Sequence, residues 1–243
     1  MSRRDTVLIL RSEARRTLRD PMMILLLLVP FFIAVLVRFA LPLIEDLFSV
    51  PGFFSAHSEL IISLLLVVTP YLYGAVTGLS ILDDRDSGVI TAASVTPLGK
   101  KGYLIHKLAL PLLAGWFGTG IVLSLSGFYP AGAAAFTAVL ILLSGTESVL
   151  IGMLLASLAD NKVQGLVYMK GLGLLFFPGI AAYFLSTPLL YFAAPVPMFW
   201  IMKSAYIMEQ TARDMEIAFH ITAGALVHCG WILFFYRRFT AQL

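Results

Sequence analysis

Long apolar stretches alternate with short polar, mostly basic connections along the whole chain. The apolar stretches run over about 22–41, 60–81, 102–126, 133–158, 163–185 and 217–235. Each is long enough to cross a hydrocarbon core about 30 Å thick. In lipid a backbone satisfies its own hydrogen bonds only as a helix or a closed barrel. The period and length of these stretches predict an all-α integral membrane protein with six transmembrane helices. Before the first stretch, residues 1–20 alternate differently: Val7, Leu10, Ala14 and Leu18 share one helical face, and Arg11, Arg15 and Arg19 form a basic stripe beside it. That pattern predicts an amphipathic helix in the interface, its guanidinium groups against lipid phosphates.

Punctuation residues refine the picture. Pro21 suits the first turn of the first span, where a missing N–H costs nothing. Pro70 predicts a bend in the second span, and Gly74 with Gly78 gives it a face for close helix packing. The turn from Gly127 to Gly132 is short enough to make the third and fourth spans antiparallel neighbours, and Gly171, Gly173, Pro178 and Gly179 make the fifth the most irregular. Residues 186–215 read as an external re-entrant or interfacial element. The run of Pro195, Pro197, Phe199 and Trp200 within it suggests a plug or gate at the outer mouth. The transmembrane domain thus covers 21–239, with a polar connection over 83–101 on the basic side.

Of the 17 Lys and Arg residues, only Arg38, Lys203 and Arg213 fall on the side away from the N-terminus. The positive-inside bias therefore puts both termini in the cytoplasm, in the cell inner membrane. Acidic residues (Glu45, Asp46, Glu59, Glu209, Asp214, Glu216) gather on the other side and read as ordinary loop charges.

Composition narrows the function. Of 243 residues 59% are hydrophobic and only 13% charged, and the mean hydropathy is +0.91. A soluble domain carries roughly 25% charged residues. The net charge of +3 belongs to span ends facing lipid head groups, not to a nucleic-acid site. A lone Cys229 permits no internal disulfide, and His57, His106, His220 and His228 lie on different segments without metal-ligand spacing, so they read as packing, interface or loop residues. Leu98-Gly99-Lys100-Lys101 lacks the upstream glycine and following Ser/Thr of a phosphate-binding loop. No catalytic, cofactor or metal site is expected, and any ATP hydrolysis falls to a separate polypeptide. Glu147, in the middle of the fourth span, carries a charge costing roughly 2.5–3.5 kcal/mol on insertion scales; it lines a transport path or makes a polar contact between helices.

The polar connection carries the functional signal. Asp84 and Asp86 lie just past the second span, a short apolar helix fits Gly88 to Val95, and Thr96-Pro97 ends it. With Arg19-Asp20-Pro21 and Lys107 in the third span, this order resembles the permease subunit of ABC-2 type transporters over essentially the whole chain. Asp86 stands where the family often has Glu, which preserves the charge. The resemblance implies a permease that pairs with a second, identical or homologous, permease and receives two copies of an ATP-binding subunit that holds ATP and Mg. It also implies that Asp84, Asp86, Gly88, Thr96 and Pro97 couple the membrane domain to that ATPase, that residues 1–20 form the connecting helix, and that an amphipathic or hydrophobic drug, lipid or glycan-like compound is exported by alternating access. An intramembrane enzyme and a non-transporting scaffold are the rival readings. The acidic cluster Asp83, Asp84 and Asp86 is the only feature favouring the enzyme.

Overall fold

The computed structural model describes residues 19–96, 99–128, 134–185, 187–210 and 214–242. Most of the expected amphipathic segment, including Arg11 and Arg15, lies outside the described residues, as do Pro97 and Arg213. Every regular element among the described residues is helical, and six helices or helix pairs are long and apolar enough to span a membrane. The chain is an all-α, six-span membrane protein.

The first span, α1 (Pro21–Phe48), starts behind Asp20, whose carboxylate accepts the N–H groups of Met22 at 2.9 Å and Met23 at 3.4 Å. This satisfies two of the donors that a helix start leaves unpaired. The helix continues well beyond residue 41 because Leu43, Ile44, Leu47 and Phe48 keep its apolar pattern. Glu45 does not end the helix. It folds over the next turn and accepts from Gly52 N at 3.1 Å and Phe54 N at 2.6 Å, seating the one-turn helix α2 (Phe53–Ala56).

The second span, α3 (Ser58–Asp86), is the axis of the bundle: 72% of its most apolar window is buried, against 11% for α1. It runs unbroken through Pro70. After a one-and-a-half-turn helix α4 (Val89–Ser94), the third and fourth spans are α5 (Gly99–Ser126) and α6 (Ala134–Leu158). Parallel packing of α3 against α6 forms the core. Ser144 Oγ donates to Leu66 O at 2.6 Å, and a Cβ on Gly74 would stand 2.5 Å from Ser148 O, while one on Gly78 would stand 2.7 Å from Leu155 Cβ. Only the absence of a side chain lets these two backbones approach so closely.

The fifth span is broken into α7 (Lys162–Leu172), a 3₁₀ turn at Gly173–Phe176 and α8 (Phe177–Phe184). A second 3₁₀ turn, Pro188–Ala193, leads into α9 (Pro197–Gln210), and the sixth span is α10 (Asp214–Gln242). Gly179 packs on Met202 and Tyr183 on Tyr206, so α8 and α9 run in the same direction and the chain between them turns back into the bundle. Trp200 at the start of α9 packs against Gly224, as does Leu143, whereas Met208 near its end meets Thr137 at the start of α6. The helix therefore reaches from mid-bundle to one rim. At that rim His57 Nδ1 pairs with Tyr183 Oη at 2.5 Å and Arg38 Nη1 donates to Leu125 O at 3.4 Å. Asp20, Asp84, Arg85, Lys162 and Arg238 gather at the opposite, basic rim.

Candidate functional site

Two ionic groups lie along the bundle, one at the basic rim and one in mid-span. At the basic rim, the last turn of α3 presents Asp83, Asp84, Arg85 and Asp86 in succession, and helical geometry sends them to different neighbours. Asp84 points into α5 and is fully buried. Its Oδ2 accepts from Tyr103 Oη at 2.5 Å and Lys107 Nζ at 2.6 Å, two side chains one turn apart on α5. Arg85 turns to α6, where Nη2 donates to Ala156 O at 2.7 Å and Nη1 to Ala159 O at 2.9 Å. Those carbonyls belong to the unsatisfied end of a helix, where a cation also suits the dipole. The same guanidinium sits 5.3 Å over the Phe239 ring of α10.

Lys162 at the start of α7 ties the remaining span. Its Nζ lies 2.9 Å from Asp20 Oδ2 and 3.7 Å from Asp83 Oδ1, and its N–H donates to Asp86 Oδ2 at 3.1 Å. The hydrogen bond from Lys162 holds the Asp20 carboxyl below its ordinary range. Arg238 Nε adds a bond to Ser157 O at 3.3 Å. One turn of α3 is thus linked to all five other spans.

From this joint hangs α4. Gly88 begins it at φ +74° with open space around its α-carbon, so glycine is required there by the backbone angle and not by crowding. Ile90 is buried and pins the helix, while Val89 is exposed and Val95 is 88% exposed. Thr96 Oγ1 donates to Ala93 O at 2.7 Å, and Gly99 N donates to Thr96 O at 3.1 Å, closing the turn into α5. Asp84 and Asp86, placed together by the sequence, have separate surroundings: one is interior, the other exposed at the α7 contact.

In mid-span, Glu147 of α6 is fully buried and its Oε2 lies 2.8 Å from Nε2 of His228 on α10. His228 Nδ1 is 2.8 Å from Gly224 O. A carbonyl only accepts, so Nδ1 carries a hydrogen, and a single further proton lies between Nε2 and Oε2. Whichever atom holds it, the pair has no net charge, which is what a low-dielectric site tolerates. Glu147 Oε1 has no hydrogen-bond partner.

The residues singled out as a gate cluster at the start of α9. Trp200 Nε1 donates to Ala194 O at 2.8 Å and Trp231 Nε1 to Pro195 O at 2.7 Å, so two indoles clamp the turn leading to Pro197. Phe199 is fully buried. Among the described residues no three His, Cys, Asp or Glu side chains converge to hold a metal ion. Sequence reading missed the partners Tyr103, Arg85 and Lys162, and it left His228 as a packing residue. The available signal was energetic: a mid-span carboxylate needs a partner, and His228 is the titratable group at matching depth on the sixth span.

An all-helical six-span bundle with a short helix slung from the basic end of its second span is consistent with the fold of an ABC-2 type export permease. More narrowly, the chain belongs to the family described as Fluoroquinolones export permease protein Rv2686c-like, whose profile matches residues 13–236. Its relatives include Fluoroquinolones export permease protein MT2760 of Mycobacterium tuberculosis (strain CDC 1551 / Oshkosh) and Fluoroquinolones export permease protein Rv2686c of Mycobacterium tuberculosis (strain ATCC 25618 / H37Rv). Each is 26% identical, over 96% of this chain and 92% of its own length. No solved structure matches.

Proposed function

We propose that this chain is the permease subunit of an ATP-driven exporter, moving an amphipathic or hydrophobic compound out of the cytoplasm by alternating access. A separate ATP-binding subunit, two copies per complex, holds ATP and Mg and supplies the energy; a second permease, identical or homologous, completes the pathway. The chain itself makes and breaks no bond. It sits in the cell inner membrane with both termini in the cytoplasm, and Arg11, Arg15 and Arg19 rest on lipid phosphates. The start of α9, with Pro195, Pro197, Phe199 and Trp200, gates the outward path from within the bundle. Fluoroquinolones, which the relatives' names specify, are the first substrates to test.

One observation carries the coupling role. The exposed apolar side chains Val89 and Val95 flank a helix rooted in the last turn of α3, which is linked directly to four other spans and, through Lys162 and Asp20, to the first. A push on α4 is received at Asp84 and Asp86 and passed through Lys107, Arg85 and Lys162 to the rest of the bundle. Gly88 and Thr96 set its two ends. Docking is hydrophobic, so Val95→Asp, at a fully exposed position, leaves the fold intact and weakens the complex. The test is copurification of the tagged chain from its native membrane, with ATPase turnover measured for wild type and Val95→Asp. Recovery of an ATP-binding chain whose turnover falls at least severalfold with the variant supports the reading. Absence of any ATP-binding chain, or turnover indifferent to Val95, overturns it.

A further inference from the structure

The mid-span pair does more than neutralise itself. Its one labile proton and one orphan acceptor sit in the same buried place. Oε1 of Glu147 is fully buried and lacks a donor, and an unsatisfied carboxylate oxygen in low dielectric is costly enough to ask what fills it. A single cationic amine answers both features. Its N–H groups donate to the carboxylate and to Nε2 of His228, the proton formerly between Oε2 and Nε2 leaves to solvent, and His228 stays neutral with Nδ1–H on Gly224 O. The charge of the site is zero before and after, with one ammonium bound and one proton released.

We propose that Glu147 and His228 form a binding site for a protonated amine, which it takes up in exchange for one proton. The start of α9 covers the pair on its outer side. Gly224, whose carbonyl fixes the tautomer of His228, is covered by Trp200, and so the first turn of α9 lies one helical turn outward of the pair. A cleft of about 300 Å³ opens beside α9 at Lys203, the one half-buried residue described on that otherwise buried helix, with Tyr191 and Leu185 on its other side. On the elements packed against α6 and α10, Tyr71 bonds to Met169 O, Tyr73 packs on Gly118, Lys107 is held by Asp84, Lys170 is exposed, Lys203 borders the cleft and His220 bonds to Tyr191. The inference rests on the export reading for its purpose, but its test needs no nucleotide.

The probes are a fluoroquinolone with a free piperazine amine and the same compound acetylated on that nitrogen, which removes the positive charge. Binding to the detergent-purified complex is measured by calorimetry in two buffers of different ionisation enthalpy, which counts protons released. The amine form binds more tightly than the acetylated form by roughly ten- to a hundredfold, the range of a charge-assisted hydrogen bond, and releases one proton; the acetylated form releases none. Glu147→Gln, which keeps a hydrogen-bonding group for His228, abolishes the preference and the proton release. Equal affinities, or no proton released by the wild-type complex, overturns the site even if the variant does not fold. A complex that copurifies with its ATPase and exports the acetylated compound, but releases no proton with the amine, refutes this inference while leaving the permease reading intact.

Discussion

The two ionic groups of this bundle are built on opposite plans. At the basic rim, Asp84 faces a lysine and a tyrosine, and Arg85 faces two helix-end carbonyls. These contacts are all 2.9 Å or shorter, and together they brace α3 against α5 and α6. In mid-span, Glu147 faces an imidazole that shares a single proton with it, and its second oxygen is unmet. The first plan makes a rigid joint, suited to passing on a displacement; the second makes a contact that exchanges its proton and its partner. The difference is the one the proposed export would call for: a stiff contact at the rim from which α4 hangs and an exchangeable one in mid-span.

The strongest way to break this contrast is to remove one partner from each group. Lys107→Met strands a fully buried carboxylate, and breaking a buried pair in this way costs about 3–5 kcal/mol. The cost is read as a loss of thermal stability of the detergent-purified protein. Adding Asp84→Leu restores most of that stability, because two apolar side chains replace two charges, but it does not restore ATPase coupling. Glu147→Gln costs about 1 kcal/mol, since the amide still bonds His228 and only one net hydrogen bond is altered. Equal losses from the two single substitutions would erase the distinction between joint and exchangeable site.

A second substitution asks whether α4 belongs to the joint or merely hangs from it. Gly88 lies at φ +74° with room around it, so Gly88→Val is penalised by the backbone angle, at about 1–2 kcal/mol for a left-handed L-residue. Only Ile90 anchors α4 by full burial. The strain therefore frays this helix locally: amide exchange over 89–95 accelerates, ATPase stimulation falls and the global melting temperature changes little. A fall in melting temperature as large as that of Lys107→Met would place α4 inside the rigid joint.

The fold was legible where physics acts on single residues and runs of residues. Six apolar runs give six spans because lipid leaves the backbone no other economical choice, and Gly74 with Gly78 marks the α3–α6 contact because close approach needs small side chains. Helix ends were less legible. The chain around Glu45 looks like a polar loop, yet α1 continues through it, because a charged side chain that reaches beyond the rim and caps the next turn does not interrupt a helix. The site was only half legible. Asp84 and Lys107 were each marked by resemblance, but their mutual pairing, and that of Glu147 with His228, joins residues on different helices, and no local spacing encodes it.

The smallest effect expected concerns the outermost link of the joint, Asp20 with Lys162. Asp20 caps α1 and also accepts from Lys162 Nζ, and that bond holds its carboxyl below the ordinary carboxylate range. A carboxyl whose folded value lies below its unfolded one contributes stability that is complete above the unfolded value and is lost as pH falls through the folded one. Asp20→Asn removes the charge but keeps a side-chain oxygen for capping, and Asn caps about as well as Asp. The difference in stability between wild type and Asp20→Asn should thus be constant above about pH 5 and shrink toward zero at acid pH below 3.8. Its size is less than about 1 kcal/mol, because the side chains are 26% and 28% exposed and salt screens them. A difference that persists at the acid end would mean that Asp20 acts through the cap alone, and the joint would then end at Asp83 and Lys162 without reaching α1.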